Sequence, residues 1–300
     1  MNKQKLILKF FQKADQLKIS NQAYRQTITS LFRWLIANDE IKTDITSQLL
    51  ALRSKTTAKI ICHENAVIAG LEEITYLLTN FTNLSIKPFV KDGNSVKNNQ
   101  VIAQIQGPVN ETLGFERTII NLLQRMSGIA TQTKNFVDLI DSSSPQIAAT
   151  RKTPWGTIDK KAMAIGGGLT HRLSLKDGIL IKDSHLKLTS IPQALKIILP
   201  QMNHQLIEVE VKNQAEALQT LNTFNQLNQD NYLAIMFDNF SAPAIKKTVT
   251  RLNNQSVIYE ASGGINETNL LSFAKTGVDI ISLGALTHSA RAVNLSLEII

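Results

Sequence analysis

Leu206-Ile207-Glu208-Val209-Glu210-Val211 is the stretch on which the fold turns. Aliphatic residues alternate with two glutamates, the period-2 pattern of a strand. Similar short apolar or β-branched runs lie on both sides of it, at 146–149, 178–181, 232–237, 257–259 and 279–283. Helical spacing fills the intervals at 191–199, 214–227, 242–252 and 267–275, with Ser241 before Pro243 and Asn266 before Glu267 as start signals. Six strands alternating with helices imply parallel βαβ units, hence a barrel or a doubly wound sheet.

The polar residues choose between the two. Each run ends in charged or small residues: Thr150-Arg151-Lys152, Lys182-Asp183, Glu208 with Glu210, Asp238, Glu260 with Ser262-Gly263-Gly264, and Leu283-Gly284-Ala285. A parallel barrel collects its strand exits at one mouth, where its active site lies. An open sheet would spread them along an edge and favour one glycine-rich first loop, which is absent. The expected class is α/β, an incomplete TIM-like α/β barrel.

Glu208 and Glu210, two apart, share one face of their strand. A carboxylate inside a barrel must meet a cation or stay protonated. A structural ion pair is the favoured reading for Glu208, a substrate or metal contact for Glu210. Arg151, Lys152, His171-Arg172 (after Gly166-Gly167-Gly168) and Lys182 supply cations at strand exits. Such a cluster suits a ligand with several carboxylate or phosphate groups. Ser262-Gly263-Gly264 and Leu283-Gly284-Ala285 fall in the last two βα loops, where barrels often hold phosphate on backbone N–H groups.

Before this region, 1–110 mixes helix and strand patterns, and 24–37, 58–63, 86–90 and 101–105 read as an α+β layer. Gly107-Pro108 marks the boundary, leaving 111–300 for the barrel and a last helix free to return to the N-terminal domain. A long amphipathic helix runs from Thr112 to about Asp141. Lys3, Lys5, Lys9, Lys13 and Lys18, with Leu6, Phe10 and Leu17 on another face, read as a solvated amphipathic helix rather than a binding arm.

Composition narrows the rest. The 300 residues carry a formal charge of +8, which suits nucleic acid or a pocket for small polyanions. Aromatic residues are 6%, without basic–aromatic interleaving, so nucleic acid is not expected. No apolar stretch approaches a membrane span, and the start has no secretory cleavage pattern. The single cysteine, Cys62, excludes a disulfide framework, and a cytoplasmic location is expected. Five histidines lack metal-ligand spacing, and neither a nucleophile elbow nor a Walker loop occurs.

The segments Glu116-Arg117-Thr118, Asn121 to Gln124, Ser127 to Thr131, Ala149 to Thr153, His171-Arg172-Leu173, Ile181-Lys182-Asp183, Glu208-Val209-Glu210, Phe237-Asp238-Asn239, Ala261 to Ile265 and Ile281 to Thr287 resemble quinolinate phosphoribosyltransferase. The match runs in order over about 110–290; Asp44-Ile45-Thr46, Ala69-Gly70 and Asp92-Gly93 fit more loosely. The resemblance implies an N-terminal α+β sandwich. It also implies transfer of phosphoribose from phosphoribosyl pyrophosphate to quinolinate with loss of CO2, with Mg²⁺, in a homodimer that shares Arg117 across its interface. It assigns Thr150, Arg151, Lys152, His171, Arg172 and Lys182 to the carboxylates and nearby phosphates. Glu210 and Asp238 fall to the ribose and the metal side, directly or through water or pyrophosphate. Ser262, Gly263, Gly264, Leu283, Gly284 and Ala285 fall to the 5′-phosphate, and Lys152, Lys182, Glu210 and Asp238 to catalysis. Pro154-Trp155-Gly156, Thr170 and Ser184 depart from the family pattern, and the lysine-rich start lies outside it. A related type II phosphoribosyltransferase of the molybdenum-transport-associated subgroup, acting on another acid, and a non-catalytic polyanion-binding protein are the alternatives.

Overall fold

The computed structural model describes residues 2–50, 54–140, 145–227 and 230–300. It opens with α1 (Lys3–Phe11), whose first turn is capped by the Asn2 side chain accepting from the Lys5 N–H. Next come α2 (Gln22–Asn38), α3 (Ile45–Leu49), β1 (Lys55–Cys62), β2 (Ala66–Val67) and α4 (Leu71–Phe81). β3 (Ser85–Pro88), β4 (Ser95–Val96) and β5 (Gln100–Pro108) follow, and β5 leads directly into α5 (Val109–Leu139). From β6 (Gln146–Ala148) strands and helices alternate: α6 (Thr157–Ile165), β7 (Ile179–Ile181), α7 (Asp183–Leu186), α8 (Ile191–Ile198), β8 (Leu206–Val211), α9 (Gln214–Leu227), β9 (Tyr232–Asp238) and α10 (Ala242–Leu252). β10 (Ile258–Ser262), α11 (Leu270–Ala274), β11 (Ile280–Ser282), α12 (Ala285–His288) and β12 (Leu295–Ile299) complete the order.

Helix starts obey local chemistry. Ser241 accepts from the Ala244 N–H and a proline stands in the first turn of α10, so this helix begins where the sequence predicts. Asn266 does not start α11. Its side chain is used in a turn with Thr268, and the helix begins at Leu270. The expected end of the long helix at Asp141 lies outside the described residues.

Two compact units divide the chain, and neither is continuous in sequence. One comprises Ala14–Asn135, Trp155–Gly167 and Ser289–Ile300. Its antiparallel sheet runs β12-β1-β5-β3, so the last element is a strand on β1 rather than the expected returning helix. Gly107-Pro108 is not a boundary: Gly107 pairs with Thr56 inside this sheet. α5 also packs where its own unit's strands lie, Ser127 Oγ accepting from the Ala69 N–H at 3.0 Å and Thr131 Oγ1 from the Val67 N–H at 2.8 Å. A cut at 110/111 therefore severs hydrogen-bonded neighbours.

The other unit comprises Met1–Lys13, Phe136–Pro154 and Gly168–His288. Its six-stranded parallel sheet runs β6-β11-β10-β9-β8-β7. Leu169 adds one parallel bridge to β6, with Leu169 N–H to Ile147 O and Ala149 N–H to Leu169 O both at 2.8 Å. In a flat sheet the Leu169 segment and β8 would be five strand spacings apart, roughly 24 Å. Yet His171 Nε2 lies 3.5 Å from Glu208 Oε2. The sheet is curled into the incomplete barrel that the strand exits imply.

The amino-terminal end of that barrel is plugged. Leu6, Ile7 and Phe11 of α1 are buried against Ala148, Leu169, Leu206, Ala234, Ile258 and Ile280, contributed by strands or strand-like segments around the curl. Lys3 reaches Asp279 at 3.1 Å and lies 5.2 Å from the Tyr259 ring centre. The expectation of a merely solvated helix is corrected: Lys5 and Lys9 face water, while Leu6, Ile7 and Phe11 close the barrel floor. The helix stops at Phe11, and Leu17 belongs to the other unit.

Candidate active site

Strand order makes neighbours of loops that are distant in sequence. Ser262 is in register with Asp238 on one side and Ser282 on the other, and Ser282 with Ala148. Glu210 is in register with Met236, two residues before Asp238. The exits carrying Thr150-Arg151-Lys152, Gly284, Ser262-Gly263-Gly264, Asp238, Glu210 and Lys182 thus follow one another around the rim.

The last two loops have little room for side chains. A Cβ on Gly263 would stand 2.2 Å from Asn239 Oδ1 and 2.9 Å from the Asn239 backbone nitrogen, and Gly263 has φ +94°. Gly284 receives the Lys152 stem: a Cβ there would meet Lys152 Cδ at 3.2 Å. Thr287 Oγ1 donates to the Lys152 carbonyl at 2.7 Å, and the Lys152 N–H donates to Thr150 Oγ1 at 3.1 Å. Lys152 is therefore seated on the small-residue loop of the neighbouring strand. Sequence reading missed Thr287 and Asn239 as supports because their roles arise only when adjacent strands meet.

Below the rim lies a buried polar cluster. His171 Nε2 sits 3.5 Å from Glu208 and 3.4 Å from Glu260, all three side chains essentially inaccessible to water. The ligand-capable atoms lie within 4.8 Å of one another, close enough to suggest a metal. The ring's hydrogen bonding argues otherwise. Nδ1 accepts the Arg172 N–H at 2.8 Å, so it carries no proton and the ring proton belongs on Nε2, between the carboxylates. A cation would find no nitrogen lone pair there. Burial, then the Glu260 charge, pushes Glu208 up to about 7 against the pull of His171. Burial also works against Glu260, but His171 and hydrogen bonding outweigh it and lower its pKa. Burial disfavours a charged His171, while the Glu260 and Glu208 charges favour it and shift its pKa upward. A second ring proton would have to displace the Arg172 N–H, so Glu208 is the natural proton holder. Glu260 was visible in sequence only as a strand end, although its position two before Ser262 puts it on the same strand face.

Closer to the rim the charges are less satisfied. Burial, followed by the Asp238 charge, raises the Glu210 pKa; Lys182 opposes. Two carboxylates that destabilise each other at a strand exit are a donor pair that an oxygen-seeking divalent cation would relieve. Burial lowers the Arg172 pKa, Glu208 resists, and Arg151 adds to the lowering. Arg172 is itself buried and donates to Gly178 O at 3.1 Å. Asp183 is bridged to Lys212 at 3.0 Å. Among the described residues Arg151, Lys152 and Lys182 close no ion pair within 4 Å. Arg151 and Lys152 are exposed, Lys182 half-buried. A rim carrying both groups can hold an anion against its cations and a developing positive charge against Glu210.

The structure brings Thr150, Arg151, Lys152, His171, Arg172, Lys182, Glu210, Asp238, Ser262, Gly263, Gly264, Leu283, Gly284 and Ala285 into one unit. His171 lies deeper than a rim contact, and Leu283 is buried. Arg117 belongs to the other unit, on α5, with its side chain 71% exposed and paired with Glu116 at 3.5 Å. Among the described residues no helix is long and apolar enough to cross a membrane.

Comparison with known proteins gives a consistent picture. Residues 44–127 match the quinolinate phosphoribosyl transferase N-terminal domain and 129–298 its C-terminal domain. A probable nicotinate-nucleotide pyrophosphorylase (carboxylating) of Methanothermobacter thermautotrophicus is 34% identical over 280 residues, covering 90% of this chain and 98% of that protein. The nicotinate-nucleotide pyrophosphorylase (carboxylating) of Mycobacterium leprae is 33% identical, covering 85% and 91%. The solved nicotinate-nucleotide pyrophosphorylase of Francisella tularensis superposes with a TM-score of 0.82 at 34% identity, over 92% of this chain and 96% of that one.

Proposed function

The chain belongs to the quinolinate phosphoribosyl transferase family, and from that membership we infer that it is a pentosyltransferase of NAD biosynthesis. It joins quinolinate to phosphoribosyl pyrophosphate and releases pyrophosphate and CO2, giving nicotinate mononucleotide. The observation that carries the reading in the molecule itself is the rim: unpaired cations beside mutually repelling carboxylates, with glycine-built loops on adjacent strands.

We assign Arg151, Arg172, Lys182 and Lys152 to the two carboxylates of quinolinate and nearby phosphate, with His171 beneath them. Ser262, Gly263, Gly264, Gly284 and Ala285 hold the 5′-phosphate through backbone N–H groups, since Gly263 admits no side chain between itself and Asn239; Leu283 supports the loop, its own N–H given to the Ala148 carbonyl at 3.1 Å. The C1′–oxygen bond breaks with its electron pair leaving on pyrophosphate, and the ring nitrogen lone pair forms the new bond to C1′. Glu210, fixed at the exit of β8, stabilises the positive charge that develops at C1′. The electron pair of the C2–carboxylate bond then stays on C2 as CO2 departs, stabilised by the adjacent positively charged ring nitrogen, and C2 takes a proton. Holding two anions together in reacting geometry is a large share of the work, and the cations make it possible.

Glu210 and Asp238 would face Mg²⁺, directly or through water or pyrophosphate; the ion, when bound, offsets charge on the leaving group. We further propose a homodimer in which the exposed Arg117 completes the partner's acid pocket, and a cytoplasmic location.

Purified protein with quinolinate, phosphoribosyl pyrophosphate and Mg²⁺ should form nicotinate mononucleotide. Turnover on another acid but none on quinolinate would replace this reading with that of a related transferase. Arg117→Ala should lose activity at least a hundredfold, roughly the effect of removing one fixed charge from a reacting site. Mixing it with inactive Glu210→Ala chains should restore part. Mixed dimers without restored activity would remove the sharing.

A further inference from the structure

The lysine-rich start and Thr170, which the chemistry above leaves unused, meet at one place beneath the candidate acid pocket. The Phe11 carbonyl accepts from the His171 N–H at 2.8 Å and from Thr170 Oγ1 at 3.1 Å. The Lys13 N–H donates to Thr170 Oγ1 at 2.8 Å, and Gln12 Nε2 to Gly168 O at 3.2 Å. The Phe11 ring stands edge-on to the His171 imidazole, 4.9 Å between centres at 87°. Phe11 is 2% exposed and Thr170 0%.

What this clasp holds is a strained turn. His171 has φ +52°, a conformation a residue with a Cβ adopts only when its surroundings impose it. The same turn sets the direction in which Arg172 leaves the backbone, and the Arg172 N–H in turn fixes His171 Nδ1. From above, Glu208 and Glu260 flank the ring's other nitrogen at 3.5 and 3.4 Å. The ring is flanked on both sides, and the lower contact comes from residues 11–13 together with Thr170.

We propose that residues 11–13 form a positioning element for the acid-binding pair His171-Arg172, so that the amino-terminal plug sets affinity for the acid substrate from the far end of the barrel. The proposal rests on the reading of Arg172 as a receiver of quinolinate, with His171 beneath it. The plug presses the left-handed turn into place, Thr170 clips the plug to the turn, and the guanidinium is presented in one direction. Loss of the clasp loosens the acid pocket while leaving the phosphate loops, on β10 and β11, as they are.

The test compares Thr170→Val, near-isosteric and lacking the hydroxyl, and Phe11→Ala with Leu6→Ala, which thins the same plug without touching His171. KM is measured for each substrate at a temperature where all are folded by circular dichroism. Thr170→Val and Phe11→Ala should raise the quinolinate KM about tenfold, since small displacements of a positioning group cost this much or more. The KM for phosphoribosyl pyrophosphate should stay within about twofold, and Leu6→Ala should lower Tm without changing the ratio of the two. Ring ¹⁵N resonances of His171, assigned through His171→Gln, should show Nε2 protonated and Nδ1 accepting in the parent, and should shift in Thr170→Val. Unmoved resonances, or equal KM changes in all three variants, overturn the proposal. Should the parent fail to use quinolinate at all, the functional reading falls, and the ¹⁵N comparison still decides whether the clasp positions His171. If Phe11→Ala does not fold, Thr170→Val alone decides.

Discussion

The two ends of the barrel are built on opposite principles. At the floor groups meet partners: three apolar side chains of α1 are buried, and Lys3 meets both Asp279 and the Tyr259 ring. At the mouth, among the described residues, Arg151, Lys152 and Lys182 close no ion pair, and burial with the Asp238 charge raises the Glu210 pKa. Apolar burial is cheap to satisfy and stabilises the fold. Unpaired charge opposes compaction and persists where a ligand is to complete it. A contrast of satisfied floor and unsatisfied mouth is what a scaffold and a binding site look like when one sheet supplies both.

The sharpest way to break this contrast is at the mouth. Glu210→Gln keeps size and removes charge, and should lower kcat roughly 10²–10³-fold, about 3–4 kcal/mol of transition-state stabilisation. Its Tm should be unchanged or slightly higher, since the carboxylate is strained by burial and by Asp238. Loss of stability together with kcat would mean that Glu210 belongs to the fold and not to the chemistry.

A change at the floor should do the reverse. Leu6→Ala should cost about 2–5 kcal/mol by denaturant unfolding, the usual range for a buried leucine, with kcat nearly intact below the new Tm. An unaltered unfolding midpoint would show that α1 does not seal the barrel in solution.

The smallest effect concerns Lys3. Burial raises the Asp279 pKa above its ordinary 3.8, while the Tyr259 N–H and Lys3 pull it back. A raised folded pKa gives stability that is complete below the ordinary value and lost as pH rises through the folded one. Lys3→Met removes a restraint, so that loss grows. The variant should be less stable at neutral pH by under about 1 kcal/mol, as befits a partly exposed pair. The difference should close near about pH 3, where Asp279 is protonated with or without Lys3. A deficit independent of pH would assign the effect to packing on Tyr259 instead.

How much of this was legible in sequence varies with the range of the interaction. The β8 pattern, α9 and α10 were readable to the residue because strand alternation, Ser241 and Pro243 act within a few residues. The start of α11 was misread because the Asn266 side chain satisfies a local turn instead of capping a helix. Gly107-Pro108 misled as punctuation because its role as the end of a paired strand depends on Thr56, some fifty residues earlier. The rim residues were found because each ends its own strand, whereas Glu260 as a partner of His171, and Thr287 under Lys152, required knowing which strands are adjacent.

By itself the amino-acid sequence determined the alternation of parallel strands and helices, the charged strand exits and the family, because periodicity, caps and motifs are written over short spans. The tertiary structure alone decided that the first helix is the barrel's floor, that the last strand completes the antiparallel sheet beside β1, and that His171 is locked between two buried glutamates and Phe11. Those outcomes depend on apolar surface and polar groups finding partners far away in the chain, and no local pattern encodes which partner will be reached.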